Sequence, residues 1–180
     1  PSIHALEEPP DFRREPFDLA IFLTKPAPAD SRAFKLCDDF IFPVCAPALA
    51  GQLNRPADLA AQLLLWDTTW TGDWSLWFEA AGVKGPSIEA GSEFSLYSMA
   101  LQAAVDGAGV LMGHEALVSR ALAAGSLVSP FPELRVPTGL ALSILAPERP
   151  PAPAAAMIDW LLAQEGAAES RLGRAPPARV

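Results

Sequence analysis

A proline stands in the middle of the most strand-like stretch of this chain. Residues 38–46 read Asp-Asp-Phe-Ile-Phe-Pro-Val-Cys-Ala, so that Phe40, Ile41, Phe42 and Val44 surround Pro43. Proline offers no N–H to a ladder, so a strand that holds one inside must lie at an edge, bend, or pass between two sheets. Whatever this sequence folds into has to supply one of those outlets.

Around that segment, strand-like and helix-like patterns alternate. Residues 2–7 alternate apolar and polar, and residues 17–23 form an apolar run of strand length, read as buried on both faces and ended by Pro26 and Pro28. Pro56 and Asp58 suit the first turn of a helix running to about Gln62, with a short strand at 63–66 after it. Asp73 is placed to cap residues 74–81, with Gly82 as the stop, and Trp74 and Trp77 share a face as core.

A weak strand at 87–90 precedes a helix capped by Ser95, in which Leu96, Met99, Ala100 and Ala103 keep helical spacing up to Gly107. Then come a strand at 110–112, a helix at 115–124 closed by Gly125, strands at 127–131 and 140–146, and a helix at 154–164 with Ile158, Leu161 and Leu162 on one side. This alternation predicts an α/β fold with mostly parallel sheets. Residues 165–180, rich in Gly, Ala, Pro and Arg, read as a flexible tail.

Charge narrows the partners. With 21 acidic against 13 basic residues the formal charge is −8, a surface that repels phosphate backbones, so DNA contact has to come from elsewhere. No apolar run approaches the roughly 18 residues a membrane span needs, so no membrane partner is expected. The 2 cysteines, Cys37 and Cys45, lack a C-x-x-C spacing and read as buried reduced thiols in a cytoplasmic protein. A start at Pro1, without an initiator Met or a signal-like segment, reads as an internal piece of a longer protein.

Chemistry-bearing motifs are sparse. The run from Gly107 to Gly113 leaves a helix and enters a strand, the reverse of a dinucleotide loop. His114-Glu115 has Val118 where a metalloprotease helix needs its second imidazole, and His4 and His114 read as ordinary surface or capping residues. Asp38 and Asp39 point to opposite faces of a strand and read as a solvated strand entry. No catalytic residue, metal site or cofactor is expected. Ser95, Ser98 and Thr24 stand at helix starts or a strand end, where they are either plain caps or part of a carboxylate-binding set of amides.

Taken in order, several segments resemble the effector-binding domain of LysR-type transcriptional regulators. They are Phe17-Asp18-Leu19-Ala20-Ile21, Phe42-Pro43-Val44-Cys45-Ala46-Pro47-Ala48-Leu49, Pro56-Ala57-Asp58-Leu59 and Asp73-Trp74-Ser75-Leu76-Trp77. Ala100-Leu101-Gln102-Ala103-Ala104-Val105, Gly107-Ala108-Gly109-Val110 and Ile158-Asp159-Trp160-Leu161 complete the series, so the resemblance runs from Pro1 to about Gln164. The Trp-x-x-Trp turn with Phe42-Pro43-Val44-Cys45 is similar to the branch that holds glycine-cleavage activators and β-lactamase-gene regulators.

The resemblance implies an α/β, two-lobe fold like type 2 periplasmic binding proteins, with residues 38–46 and 140–146 as two crossover strands. Lobe I would hold residues 1–42 and 142–164 and lobe II residues 43–141. It implies a small-molecule effector held in the cleft by Leu23, Thr24, Pro43, Cys45, Phe94, Ser95, Tyr97, Thr138 and Gly139. Promoter DNA would be bound only through a helix-turn-helix absent from this chain, and the full-length regulator would be a homo-oligomer. By the same resemblance a first strand and helix should precede Pro1, leaving lobe I incomplete, residues 1 to about 12 mobile or re-paired, and effector affinity impaired.

Two other functions compete. A solute-binding component of a transporter shares the lobe architecture, and upstream residues would separate it from a regulator. An enzyme would need acids and bases converging in the cleft, where Glu93 is the only ionisable residue near the predicted helix start.

Overall fold

The computed structural model describes residues 2–6, 8–25, 32–85 and 91–172. Its strands are β1 (Ala20–Thr24), β2 (Arg32–Cys45), β3 (Leu64–Asp67), β4 (Ser92–Phe94), β5 (Val110–His114) and β6 (Val136–Ala146). The α-helices are α1 (Pro47–Ala50), α2 (Asp73–Ala80), α3 (Tyr97–Val105), α4 (Glu115–Ala123) and α5 (Ala152–Leu172), with a 3₁₀ helix at Pro56–Ala61. The chain divides into one unit of Pro1–Asp38 with Gly139–Val180 and a second of Asp39–Thr138. Among the described elements only β2 and β6 have residues in both.

In the second unit, the strand residues segregate by parity. Ile41 and Cys45 of β2, Leu64 and Trp66 of β3, and Val110 and Met112 of β5 join Leu59, Trp74, Trp77 and Phe78 in one core cluster. Their neighbours Phe42, Val44, Leu65 and Leu111 join Ala100, Ala104, Val118 and Leu127 in another. Successive side chains of a strand point to opposite faces, so covering both faces with helices demands a nearly unbroken apolar run. Trp74 and Trp77, expected as core, are both buried, and each indole N–H is satisfied: Trp74 by the Leu65 carbonyl at 3.1 Å and Trp77 by the Leu134 carbonyl at 3.1 Å.

Pro43 lies opposite Met112 in the antiparallel β2–β5 ladder. The Cys45 N–H goes the other way, to the Val128 carbonyl at 3.0 Å, and positions two apart face the same edge. The missing donor of Pro43 therefore falls on the edge away from β5, and the ladder to β5 loses nothing. β2 enters the second unit between Asp38 and Asp39, so Pro43 lies inside that unit.

In the first unit, β1 pairs antiparallel with β6, and Ile144, Ala146 and Ile158 form the core with Leu19, Phe34, Leu36, Leu161 and Leu162 around it. The helical face expected from Ile158, Leu161 and Leu162 is the one that packs.

Several expectations are corrected. The sheet, in the order β1-β6-β2-β5-β3-β4, is mixed: β3 runs parallel to β4 and β5, while β1–β6 and β2–β5 are antiparallel. Residues 2–6 form no strand, since no ladder partner reaches them among the described residues. β1 is not buried on both faces: it stands at the end of the strand order and leaves Ile21 exposed. Residues 127–131 make only the isolated bridge between Cys45 and Val128.

Ser95 does not cap α3. The helix begins at Tyr97, its flanking residue is Leu96, and no side chain caps it, so the packed face is Tyr97, Ala100, Leu101 and Ala104 and not the one containing Leu96 and Met99. Helix α5 runs on to Leu172 across the first part of the expected tail, and residues 173–180 lie outside the described residues. Pro26, Pro28 and residues 87–90 lie outside them as well. The glycines expected to stop helices, Gly82, Gly107 and Gly125, have φ of 65°, 80° and 71°, a left-handed turn that costs glycine no Cβ clash.

Candidate functional site

A buried polar cluster interrupts the apolar interior of the second unit. β2 brings Asp39 to the face that carries Ile41 and Cys45. β5 ends on His114, and α2 begins on Asp73. His114, expected as a surface or capping residue, is 1% exposed and stands at the N-cap of α4 without a side-chain cap bond, and Asp39, expected as a solvated strand entry, is 2% exposed. Asp38, on the opposite face, is the solvated one and pairs with Lys35 at 2.6 Å.

The His114 ring lies between two carboxylates. Nδ1 is 2.8 Å from Asp39 Oδ2, and Nε2 forms an ion pair with Asp73 Oδ2 at 2.9 Å. The Thr138 hydroxyl donates to the same Asp39 Oδ2 at 2.9 Å. Tyr97 fixes the backbone beside the ring: its oxygen accepts the His114 N–H at 3.1 Å and donates to the Met112 carbonyl at 3.2 Å.

Trp70 covers the imidazole, with ring centroids 4.0 Å apart, and Tyr97 meets it edge-on at 5.8 Å. What positions Trp70 is Asp67, whose Oδ1 accepts the N–H groups of Thr69 at 2.8 Å and Trp70 at 3.1 Å and so closes the turn after β3. Asp73 starts α2, yet it makes no cap bond there because its carboxylate is turned to His114.

Burial works against the charged ring, but the hydrogen bonds and negative charges of Asp39 and Asp73 outweigh it and push the His114 pKa up to about 9. At neutral pH the group is an imidazolium. Burial pushes the Asp67 carboxyl up, with the amides of Trp70 and Thr69 opposing it, and burial also raises the Tyr97 phenol. The arrangement can hold a proton tightly and order the strands around it. Sealed under Trp70, the imidazole has little reach to a substrate atom. Among the described residues no group of three metal-ligating side chains could hold an ion.

Of the residues expected to contact an effector, Tyr97 and Thr138 converge on this cluster. Pro43 and Cys45 sit on β2 opposite Met112 and Val110; Cys45 is wholly buried in the core, and burial pushes its thiol up. Phe94 ends β4, where its carbonyl accepts the Thr68 N–H at 3.0 Å, and Ser95 is exposed in the turn after it. Leu23 and Thr24 belong to the first unit, paired with Leu142 and Ala141, as does Gly139 with φ 75°.

The sequence reading assigned other roles to His114, Asp39 and Asp73, and nothing in it singled out Asp67 and Trp70. One signal was present: Asp39 shares strand parity with Ile41 and Cys45, so an inward carboxylate needing a partner follows from the alternation alone.

Residues 4–166 match the protein family described as LysR substrate binding domain. The HTH-type transcriptional regulator PerR of Escherichia coli K12 is 36% identical over 67% of this chain and 40% of its own length. The glycine cleavage system transcriptional activator of the same strain is 33% identical over 74% of this chain and 45% of its own length. The chain thus spans less than half of either relative. Among solved structures, the effector domain of the transcriptional regulator AmpR of Pseudomonas aeruginosa superposes with a TM-score of 0.79 at 29% identity, covering 94% of this chain and 82% of that one. The AmpR effector binding domain from Citrobacter freundii gives 0.78 at 25% identity over 90% and 81%.

Proposed function

Because this chain belongs to the LysR substrate-binding domain family, we propose that it is the part of a LysR-type transcriptional regulator that senses a small-molecule effector. The observation that carries this reading is the similarity, over 94% of the chain, to a domain described as an effector domain. The relatives described above are transcriptional regulators, so a transport role is not carried forward. The chain binds without turnover, and an effector that prefers one conformation shifts the population toward it. In the full-length regulator, a homo-oligomer in the cytoplasm, that shift reaches promoter DNA through a helix-turn-helix outside this chain. Among the described residues no helix is long and apolar enough to cross a membrane.

For effector contacts, the exposed Ser95 and the part-buried Thr24, Phe94, Tyr97 and Thr138 are the stronger members of the expected set, whereas fully buried Cys45 has no surface to offer. Scanning fluorimetry against amino acids, organic acids and sugars tests the reading. One chemical class should raise the melting temperature saturably and be recovered unchanged by mass spectrometry. A Thr24→Ala, Ser95→Ala double variant should lose the effect. Conversion of the stabilising compound would refute binding without turnover.

A further inference from the structure

Asp39 and Thr138 are the first and last residues of the second unit, and through them the chain enters and leaves it. They meet through a single oxygen: Asp39 Oδ2 takes the Thr138 hydroxyl at 2.9 Å and stands 2.8 Å from His114 Nδ1. Among the described residues neither Asp39 Oδ1 nor His114 Nε2 has a well-aligned hydrogen-bond partner, so the placement of this carboxylate depends on its other oxygen.

The second ring nitrogen faces Asp73 at 2.9 Å. An imidazolium has two N–H groups and can serve both carboxylates. A neutral ring has one, and its remaining lone pair must then face a carboxylate oxygen. Loss of the proton removes the charge that draws both carboxylates to the ring, and whichever tautomer forms, one ring nitrogen is left with its lone pair facing a carboxylate oxygen.

From this geometry we propose that His114 is a proton-operated clamp on the paired entry and exit strands of the second unit, holding Asp39 firmly against Thr138 when charged and loosening that contact when neutral. The groups that bear on its proton come from every side. Asp39 on β2 and Asp73 on α2 contact the ring directly, Asp67 on β3 acts through its charge, and the Tyr97 hydroxyl on α3 meets the backbone N–H. Glu115, next in sequence, is engaged by Arg135. Burial lowers the His114 pKa, and the two carboxylates more than offset it and raise the pKa, in keeping with this geometry. The clamp is a property of the second unit and stands whether or not an effector binds.

The test follows the His114 ring nitrogens by NMR together with hydrogen exchange in segments 36–41 and 136–141 of the same chain, from pH 6 to 10. The ring should lose its proton well above neutrality, and protection in both segments, corrected for intrinsic exchange, should fall at least about tenfold over the same interval. In Thr138→Val the ring should titrate much as before while protection is low and independent of pH. A His114→Gln variant should likewise show no pH step. The proposal is overturned if the ring is already neutral at pH 7, or if protection in the parent chain ignores the titration. It is also overturned if Thr138→Val keeps the step.

Discussion

The indole of Trp70 lies on the imidazole of His114, with ring centroids 4.0 Å apart and the planes inclined by 47°. The contact excludes water from a charged ring, strengthening its attraction to Asp39 and Asp73, and an aromatic face is itself favourable to a cation.

Removing that cover should weaken the pairing. In Trp70→Ala, water relieves the burial penalty on the imidazolium but also screens Asp39 and Asp73, and with the screening larger the His114 titration midpoint is expected to fall from about 9 toward its ordinary value of 6.5. The imidazole signals in an NMR pH series check this, and an unchanged midpoint would show that the carboxylates alone set it.

Stability should depend on pH with a definite sign. The folded pKa of His114, about 9, exceeds the unfolded value near 6.5, so the folded state binds the proton more tightly. Its contribution is complete below pH 6.5 and is lost as pH rises through about 9, a change on the order of 2–3 kcal/mol. Urea unfolding at pH 6 and pH 9.5 measures it, and Asp73→Asn should flatten the slope.

Trp77 is wholly buried and its indole N–H is bonded to the Leu134 carbonyl. Trp77→Phe keeps an aromatic ring but leaves a void and an unpaired carbonyl, with an expected loss of about 2–4 kcal/mol. Chemical denaturation with an unchanged m-value would attribute the loss to the folded state.

Two glycines should respond oppositely to the same methyl group. At Gly91 a Cβ would stand 2.2 Å from the Trp66 ring and 2.4 Å from the Leu64 carbonyl oxygen, so backbone must move. Gly51 has nothing within 4 Å and an ordinary helical φ of −64°. Gly91→Ala should cost more than about 2 kcal/mol, whereas Gly51→Ala should be neutral or gain up to about 1 kcal/mol through the unfolded chain. Melting curves of the two variants decide it.

The second unit was largely legible because both faces of its strands are covered, which turns β2, β3 and β5 into apolar runs that cannot be overlooked. Helix ends were legible where glycine takes a left-handed turn, as at Gly107. The start of α3 was not: Ser95 is a good cap by type, but the turn after β4 delays the helix to Tyr97 and rotates its packed face by one position. The first half of β2, with Arg32, Lys35 and Asp38, lacks the apolar signal because it is half exposed.

The candidate site was harder still. Its members lie as far apart as Asp39 and Thr138, 99 residues along the chain, and local spacing carries no trace of such a meeting. Strand parity alone could have turned Asp39 inward. The placement of Trp70 depends on two amides of its own turn bonding to Asp67, a geometry that composition does not reveal.

Cys45 is packed beyond the reach of reagents and burial keeps its thiol protonated, whereas Cys37 on the same strand is part-exposed. The two sulfurs therefore keep different clocks. A maleimide dye should mark the native protein slowly and at one position only, with a second label admitted only when the molecule opens, so the ratio of singly to doubly labelled chains counts unfolding events without any optical probe.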